Sequence, residues 1–390
     1  MKLLDYKLMF LIVFVFNVNV FSQNEYTSDV EVENNNDVYK EKYYNKQIEK
    51  FSYKVVGEIH YNDVILNEED KNLKGEFDFY KLAVKSGYKI NKKLSLSSKI
   101  IVEHTLNPDY NYGDVYISDL YLKYKVSKKI AFESGIITVP ISGGNVGVYG
   151  SVVLSPIEKY LSYSWREAGI GFTGKLINNF NYRATITTGL DPCELDGKKV
   201  IYKARNHHFY SSLNNFATGL QVYYEDYKNI RFGFSALYSG LENSSESNTT
   251  YKGAYYAFTE IFGSYKFGNF GTRLVGTYSK INKIDKINKE FYNKVGSDQV
   301  GGLLEFTYEL SKLLSSPSQR IIVMLRSEYY DSHYKTKGVV DNKKYEHYDY
   351  TLGIVYMPIK NLEFKADYQI QRFSDNYSSQ IFDLAIGFYF

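Results

Sequence analysis

From Phe51 to the end of the chain, apolar and polar residues alternate with a period of two, interrupted at short intervals by Gly, Asn, Asp, Ser or Pro. That period puts successive side chains on opposite faces of a strand, whereas a helix repeats every three to four residues. The first run, FSYKVVGEIHYN, sets Tyr53, Val55, Gly57, Ile59 and Tyr61 on one face and Lys54, Val56, Glu58 and His60 on the other. The last, Gln380–Phe390, sets Phe382, Leu384, Ile386, Phe388 and Phe390 against Ile381, Asp383, Ala385, Gly387 and Tyr389. Between them the pattern predicts strands over Gly75–Ile90, Lys93–His104, Asp114–Val126, Ile130–Val139, Glu167–Ile177, Phe180–Leu190 and Phe216–Asp226. It continues over Ile230–Ser239, Lys252–Phe267, Phe270–Lys280, Gln299–Leu310, Gln319–Tyr330, Tyr345–Met357 and Asn361–Phe373, about 16 strands in all.

The connections keep a parity. Those after even-numbered strands are short, as at Asn91-Lys92, Ser127–Lys129, Asn178-Asn179 and Gly268-Asn269. Those after odd-numbered strands are mostly long and polar, as in Pro140–Arg166, Asp191–Asn215, Ile281–Asp298 and Ser332–Lys344. A soluble sandwich has no reason to keep such a rule, but an antiparallel transmembrane β-barrel has short turns on one side and long loops on the other. Closure follows from the solvent: an open sheet edge in hydrocarbon would leave its N–H and C=O groups without partners. About 16 strands enclose an interior too wide for side chains to fill, hence an aqueous lumen.

Composition fits one greasy and one wet face per strand. Aromatic residues make up 17% of the 390 residues, with 41 Tyr and 25 Phe. The greasier parity, including Tyr80, Leu82 and Val84, Leu120, Leu122 and Tyr124, and Ile170, Phe172 and Leu176, is expected to face lipid. Tyr88, Tyr182, Tyr224 and Tyr356 are expected in the interfacial girdles. The opposite parity carries charge, and its candidate pore-lining residues are Lys81, Lys85, Lys99, Lys123, Lys125, Glu133, Arg183, Arg231 and Arg273. Bases concentrate on the second to fourth strands and acids from the twelfth onward, a separation that tunes ion selectivity across a lumen and points to a mild anion preference. The net charge of +3 makes no case for a nucleic-acid partner.

At the N-terminus, Lys2 and Lys7 precede the apolar run Leu8–Phe16, followed by small and polar residues to Ser22. This predicts a secretory signal peptide over residues 1–22. Residues 23–50, rich in Asn, Glu and Lys, are expected to form a disordered periplasmic arm with a short helix in Tyr39–Glu49, leaving 51–390 for the barrel. The loop Pro140–Arg166 is unusually apolar and Gly-rich. Its Val146, Val148, Val152, Val153, Leu154 and Ile157 need a surface to pack on, and the inner wall is the available one. Pro140, Gly143, Gly144, Lys159 and Arg166 are therefore candidate residues of a constriction loop.

The aromatic closing strand ending at Phe390 resembles the C-terminal signature of bacterial outer-membrane β-barrels. The resemblance implies that Phe390 is read by the barrel-assembly machinery and that the last strand pairs with the first. GIITVPISGGNVG followed by SPIEKYLSYSWREAGIGFTGKL, spanning Gly135–Leu176, resembles the phosphate-selective porin group. That resemblance implies a homotrimer in outer-membrane lipid and lipopolysaccharide, passing small anions and other hydrophilic solutes by passive diffusion without a cofactor. The chain departs from the group in carrying only Lys159 and Arg166 as bases on this loop.

Catalytic and metal patterns are missing from the sequence. Cys193, His207 and His208 share one loop, but their spacing matches no common metal site. His60 and His104 have no recognisable Ser and acid partners, and neither GxSxG nor HExxH occurs. The chain is therefore expected not to be an enzyme. The alternative to a porin is an outer-membrane adhesion or structural barrel acting through its long external loops.

Overall fold

A computed structural model describes residues 50–66, 75–103, 113–141, 157, 165–205, 215–226, 229–241, 250–310 and 319–390, with backbone alone at 62–66, 75 and 76. The expected signal peptide, the arm up to residue 49, and Gly143, Gly144, Lys159, His104, His207 and His208 lie outside these residues.

The strands are β1 (Phe51–Leu66), β2 (Gly75–Lys89), β3 (Leu94–Glu103), β4 (Asp114–Lys125), β5 (Ile130–Thr138), β6 (Arg166–Ile177), β7 (Phe180–Thr188) and β8 (Phe216–Glu225). They continue as β9 (Ile230–Gly240), β10 (Tyr255–Phe267), β11 (Phe270–Ile281), β12 (Asp298–Glu309), β13 (Arg320–Lys335), β14 (Glu346–Ile359), β15 (Leu362–Phe373) and β16 (Ser378–Tyr389). Each pairs antiparallel with its sequence neighbours, and β1 also pairs with β16, so the sheet is a closed sixteen-stranded barrel. The largest departures from the sequence expectation are at the long-loop side. β1 runs on to Leu66 and β13 to Lys335, β10 starts three residues later than expected, and Arg166 opens β6 rather than ending a loop.

Local chemistry explains the short turns. The Asn91 side chain accepts from the amides of Lys93 and Leu94 (2.8 and 2.9 Å), and Asp226 accepts from Asn229 and Ile230 (2.8 Å each). Asn178 and Gly268 take positive φ (36° and 58°), as two-residue hairpin turns require.

Parity decides which side chain goes where. Ile170, Phe172, Phe232, Phe234, Leu274, Leu352 and Ile354 are exposed on the outer wall, while their alternate neighbours point inward and are buried or half-buried. Tyr80 is a correction: the β1–β2 register shifts between Glu58 and His60, and the Tyr80 ring stacks on His60 (4.2 Å, 11°) instead of simply facing lipid.

At the closing seam, the backbones of Val55 and Phe390 exchange two hydrogen bonds (2.9 and 3.0 Å). On the outer face Gly57 of β1 leaves room for the Phe388 ring of β16, which occupies the place a Cβ would take. On the inner face the Lys365 ammonium reaches past β16 to Glu58 on β1 (3.0 Å) while also holding Glu363 (2.8 Å). Gly387 makes that approach possible, because a Cβ there would meet the Glu363 carboxylate at 2.7 Å.

Candidate pore lining and constriction

The register gathers the inward-facing charges. The inner rows of β1–β7 hold Lys54, Lys81, Lys85, Lys89, Lys99, Lys123, Lys125 and Arg183, interleaved with Glu58, Glu103, Asp119, Glu133 and Glu167. Lys54 stands directly opposite Lys85, and Lys85 opposite Lys99, so three lysines occupy consecutive cross-strand positions, with Asp119 next in the row. Like charges set directly opposite cost stability. Arg166 pairs with Asp119 and adds its repulsion to that of Lys81 on Lys99.

Other inward cations have carboxylate or aromatic neighbours. Lys81 lies 3.8 Å from Glu103, and Lys123 and Arg183 flank the buried Glu133 at 3.2 and 3.8 Å. Arg231 lies over the rings of Tyr223 (4.6 Å) and Phe262 (5.7 Å). Arg273 is buried in the wall against Glu305 (2.9 Å), beside Arg326 and Glu328 (2.8 Å). Of the predicted candidates, Lys81, Lys85, Lys99, Lys123, Lys125, Glu133 and Arg183 share one arc. Arg231 and Arg273 sit apart from it on β9 and β11. From β12 to β16 the inner rows turn acidic, with Glu305, Glu309, Glu328, Asp349, Glu363, Asp367 and Asp383 against Arg320, Arg326 and Lys365.

Sequence reasoning missed the structure covering the β8–β13 arc. The connection after β7 folds as a finger, Leu190–Arg205, closed at its base by a bridge between those two residues and near its tip by a second between Asp196 and Val200. Asp191 caps a short 3-10 turn, Pro192–Glu194, by accepting from the Cys193 amide (2.9 Å). At the base, the Leu190 amide donates to the hydroxyl of Ser239 on β9 (3.0 Å). At the tip, the hydroxyls of Tyr330 and Ser332 on β13 donate to the carbonyls of Lys198 (2.5 Å) and Gly197 (2.7 Å).

The connection after β11 locks onto the finger. It carries a helix, α1 (Ile284–Phe291), whose Ile284 and Ile287 are buried, and Asn293 beyond it donates to the Pro192 carbonyl (2.8 Å). Gly197 is needed at the meeting point, since a Cβ there would stand 2.7 Å from the Lys294 carbonyl and 3.0 Å from the Tyr345 ring. Leu190, Leu195, Val200, Ile201 and Ala204 join Ile284, Ile287 and the wall residues Leu237, Phe258, Val275 and Leu303 in one apolar cluster. The signal lay in the sequence as VIYKA, an apolar stretch inside a loop that reads as polar.

The expected constriction loop after β5 is described only at its ends and at Ile157. Pro140 is buried with its ring against Gly219 of β8, and Val139, Ile141, Ile157 and Trp165 belong to the same apolar cluster. Trp165 Nε1 and the Thr188 hydroxyl both donate to the buried Glu167 (2.8 Å each), and Arg205 lies over the Trp165 ring (5.8 Å). No cluster of His, Cys, Asp and Glu suited to a metal occurs among the described residues.

No protein-family model matches the sequence, and no curated protein matches it. Among solved structures, the chain is similar to the outer membrane channel DcaP of Acinetobacter baumannii, at 11% identity over 87% of this chain and 97% of that one, with a TM-score of 0.59. It is similar to the anion-selective porin of Comamonas acidovorans, at 11% identity over 87% and 99% of the two chains, again at 0.59. It is also similar to OmpT, an outer membrane protein of Vibrio cholerae in its trimer form, at 12% identity over 88% and 100%, with a TM-score of 0.57. The closed sixteen-stranded barrel is thus the fold of outer-membrane porins.

Proposed function

We propose that the chain is an outer-membrane porin through which small hydrophilic solutes and ions diffuse passively, with a mild preference for anions. The observation that carries the anion preference is the cross-strand row Lys54–Lys85–Lys99 on the inner wall. It sustains positive potential at one height of a water-filled passage, where wall charge acts directly on a permeating ion. A signal peptide over residues 1–22 would bring the chain to the periplasm, and assembly as a homotrimer accords with the trimer form of the similar OmpT. Membership of the phosphate-selective group rests on the Gly135–Leu176 motif alone. The test is planar-bilayer conductance of the refolded protein across a KCl gradient. Stable steps with a reversal potential displaced toward that of chloride are expected; silence from correctly folded barrels would refute the channel, and a displacement toward potassium would refute the anion preference.

A further inference from the structure

We infer that the finger Leu190–Arg205 sets the size limit of the passage, so that solutes pass between it and the lysine-bearing arc of β1–β7. The inference rests on the porin reading and adds where the passage is narrowest. The finger covers one side of the wall: its Leu190, Leu195, Val200, Ile201 and Ala204 share one buried apolar cluster with the inward-facing Leu237, Phe258, Val275 and Leu303 of β9–β12, whereas Lys54, Lys85 and Lys99 across the barrel are half-buried and outside that cluster. The free cross-section is therefore displaced toward the basic arc. The finger is held as a rigid part would be: it leaves the wall at β7, and its tip is bonded to β13, six strands further round. A segment tied at both ends, over buried apolar side chains, narrows a lumen rather than fraying into it.

The chain carries its own probe. Cys193, its single cysteine, is exposed on the finger. Burial and the neighbouring Asp191 carboxylate push its thiol up to about 11, so labelling is best run above pH 9. With single channels of the wild-type protein, a bulky charged methanethiosulfonate reagent is expected to lower the current step, and C193S is expected not to respond. Replacing Pro192–Val200 by a short Gly-Ser linker is expected to raise the step about twofold and admit larger sugars in liposome swelling. G197V, which wedges the tip away from Lys294 and Tyr345, should shift both readouts in the same direction by less. Complete labelling, verified by mass, that leaves the step untouched would overturn the assignment even if the linker variant failed to fold. A wild-type barrel that never conducts would instead overturn the porin reading.

Discussion

Single residues at the seam decide how well the barrel closes. Gly57 and Gly302 both face outward in the middle of strands, yet their surroundings are opposite. A Cβ at Gly57 would fall within the Phe388 ring, whereas a Cβ at Gly302 meets nothing within 4 Å. Overpacking a filled site costs about 1–3 kcal/mol, while removing a glycine from a strand interior with open space regains about 0.5–1 kcal/mol. G57A is therefore expected to lower the denaturant midpoint of unfolding from lipid vesicles, and G302A to leave it unchanged or raise it. Equal effects would mean that the ring of Phe388 has another place to go. No reading of local pattern reveals this difference, since both glycines simply occupy the lipid-facing parity. What separates them is the β1–β16 pairing, made across more than 300 residues of chain, as is the Lys365–Glu58 contact.

At the scale of strands and loops, alternation and turn chemistry were legible because each acts between near neighbours: two residues for a pleat, two to four for a hairpin. Hence the strands, their even number, and the inward parity of Lys85, Lys99 and Lys123 could all be read from the chain. Tyr80 escaped because a bulge changes face without changing composition. The finger escaped because its anchors, Ser332 and Tyr330, lie 135 and 132 residues from the carbonyls they bond. Its buried Val200 and Ile201 are diluted by Lys198, Lys199 and Lys203. The loop after β5 carries a longer apolar run and so outweighs the finger in the sequence pattern. The parity itself makes a quantitative prediction. L220R, which puts a guanidinium on the lipid face of β8, should destabilise by about 2–4 kcal/mol near the bilayer midplane. S97R, on the inner face of β3 beside Gly87, should cost under about 1 kcal/mol and displace the reversal potential further toward chloride, because the new charge is hydrated by the lumen. Unfolding in vesicles together with bilayer recordings would separate the two; comparable destabilisation would contradict the assignment of faces.

Across the whole molecule the charges form a dipole transverse to the passage, basic from β1 to β7 and acidic from β12 to β16, although the net charge is only +3. Such an arrangement selects only if ions travel nearer one wall than the other. The covered β8–β13 arc supplies that bias by moving the free section toward the lysines. A preference that arises from charges on one wall is electrostatic and screenable. The Debye length shrinks from about 10 Å at 0.1 M to about 3 Å at 1 M salt, below the half-width of a sixteen-stranded lumen. The anion-to-cation permeability ratio is accordingly expected to lie above one at or below 0.1 M KCl and to approach one near 1 M. Replacing Lys54, Lys85 and Lys99 together by Gln should lower the low-salt ratio toward one, since Glu58, Asp119 and the acidic arc remain beside the other bases of β1–β7. A ratio that persists at 1 M, or survives the triple substitution, would mean that ions are discriminated by direct coordination at a narrow point instead of by the field of this wall.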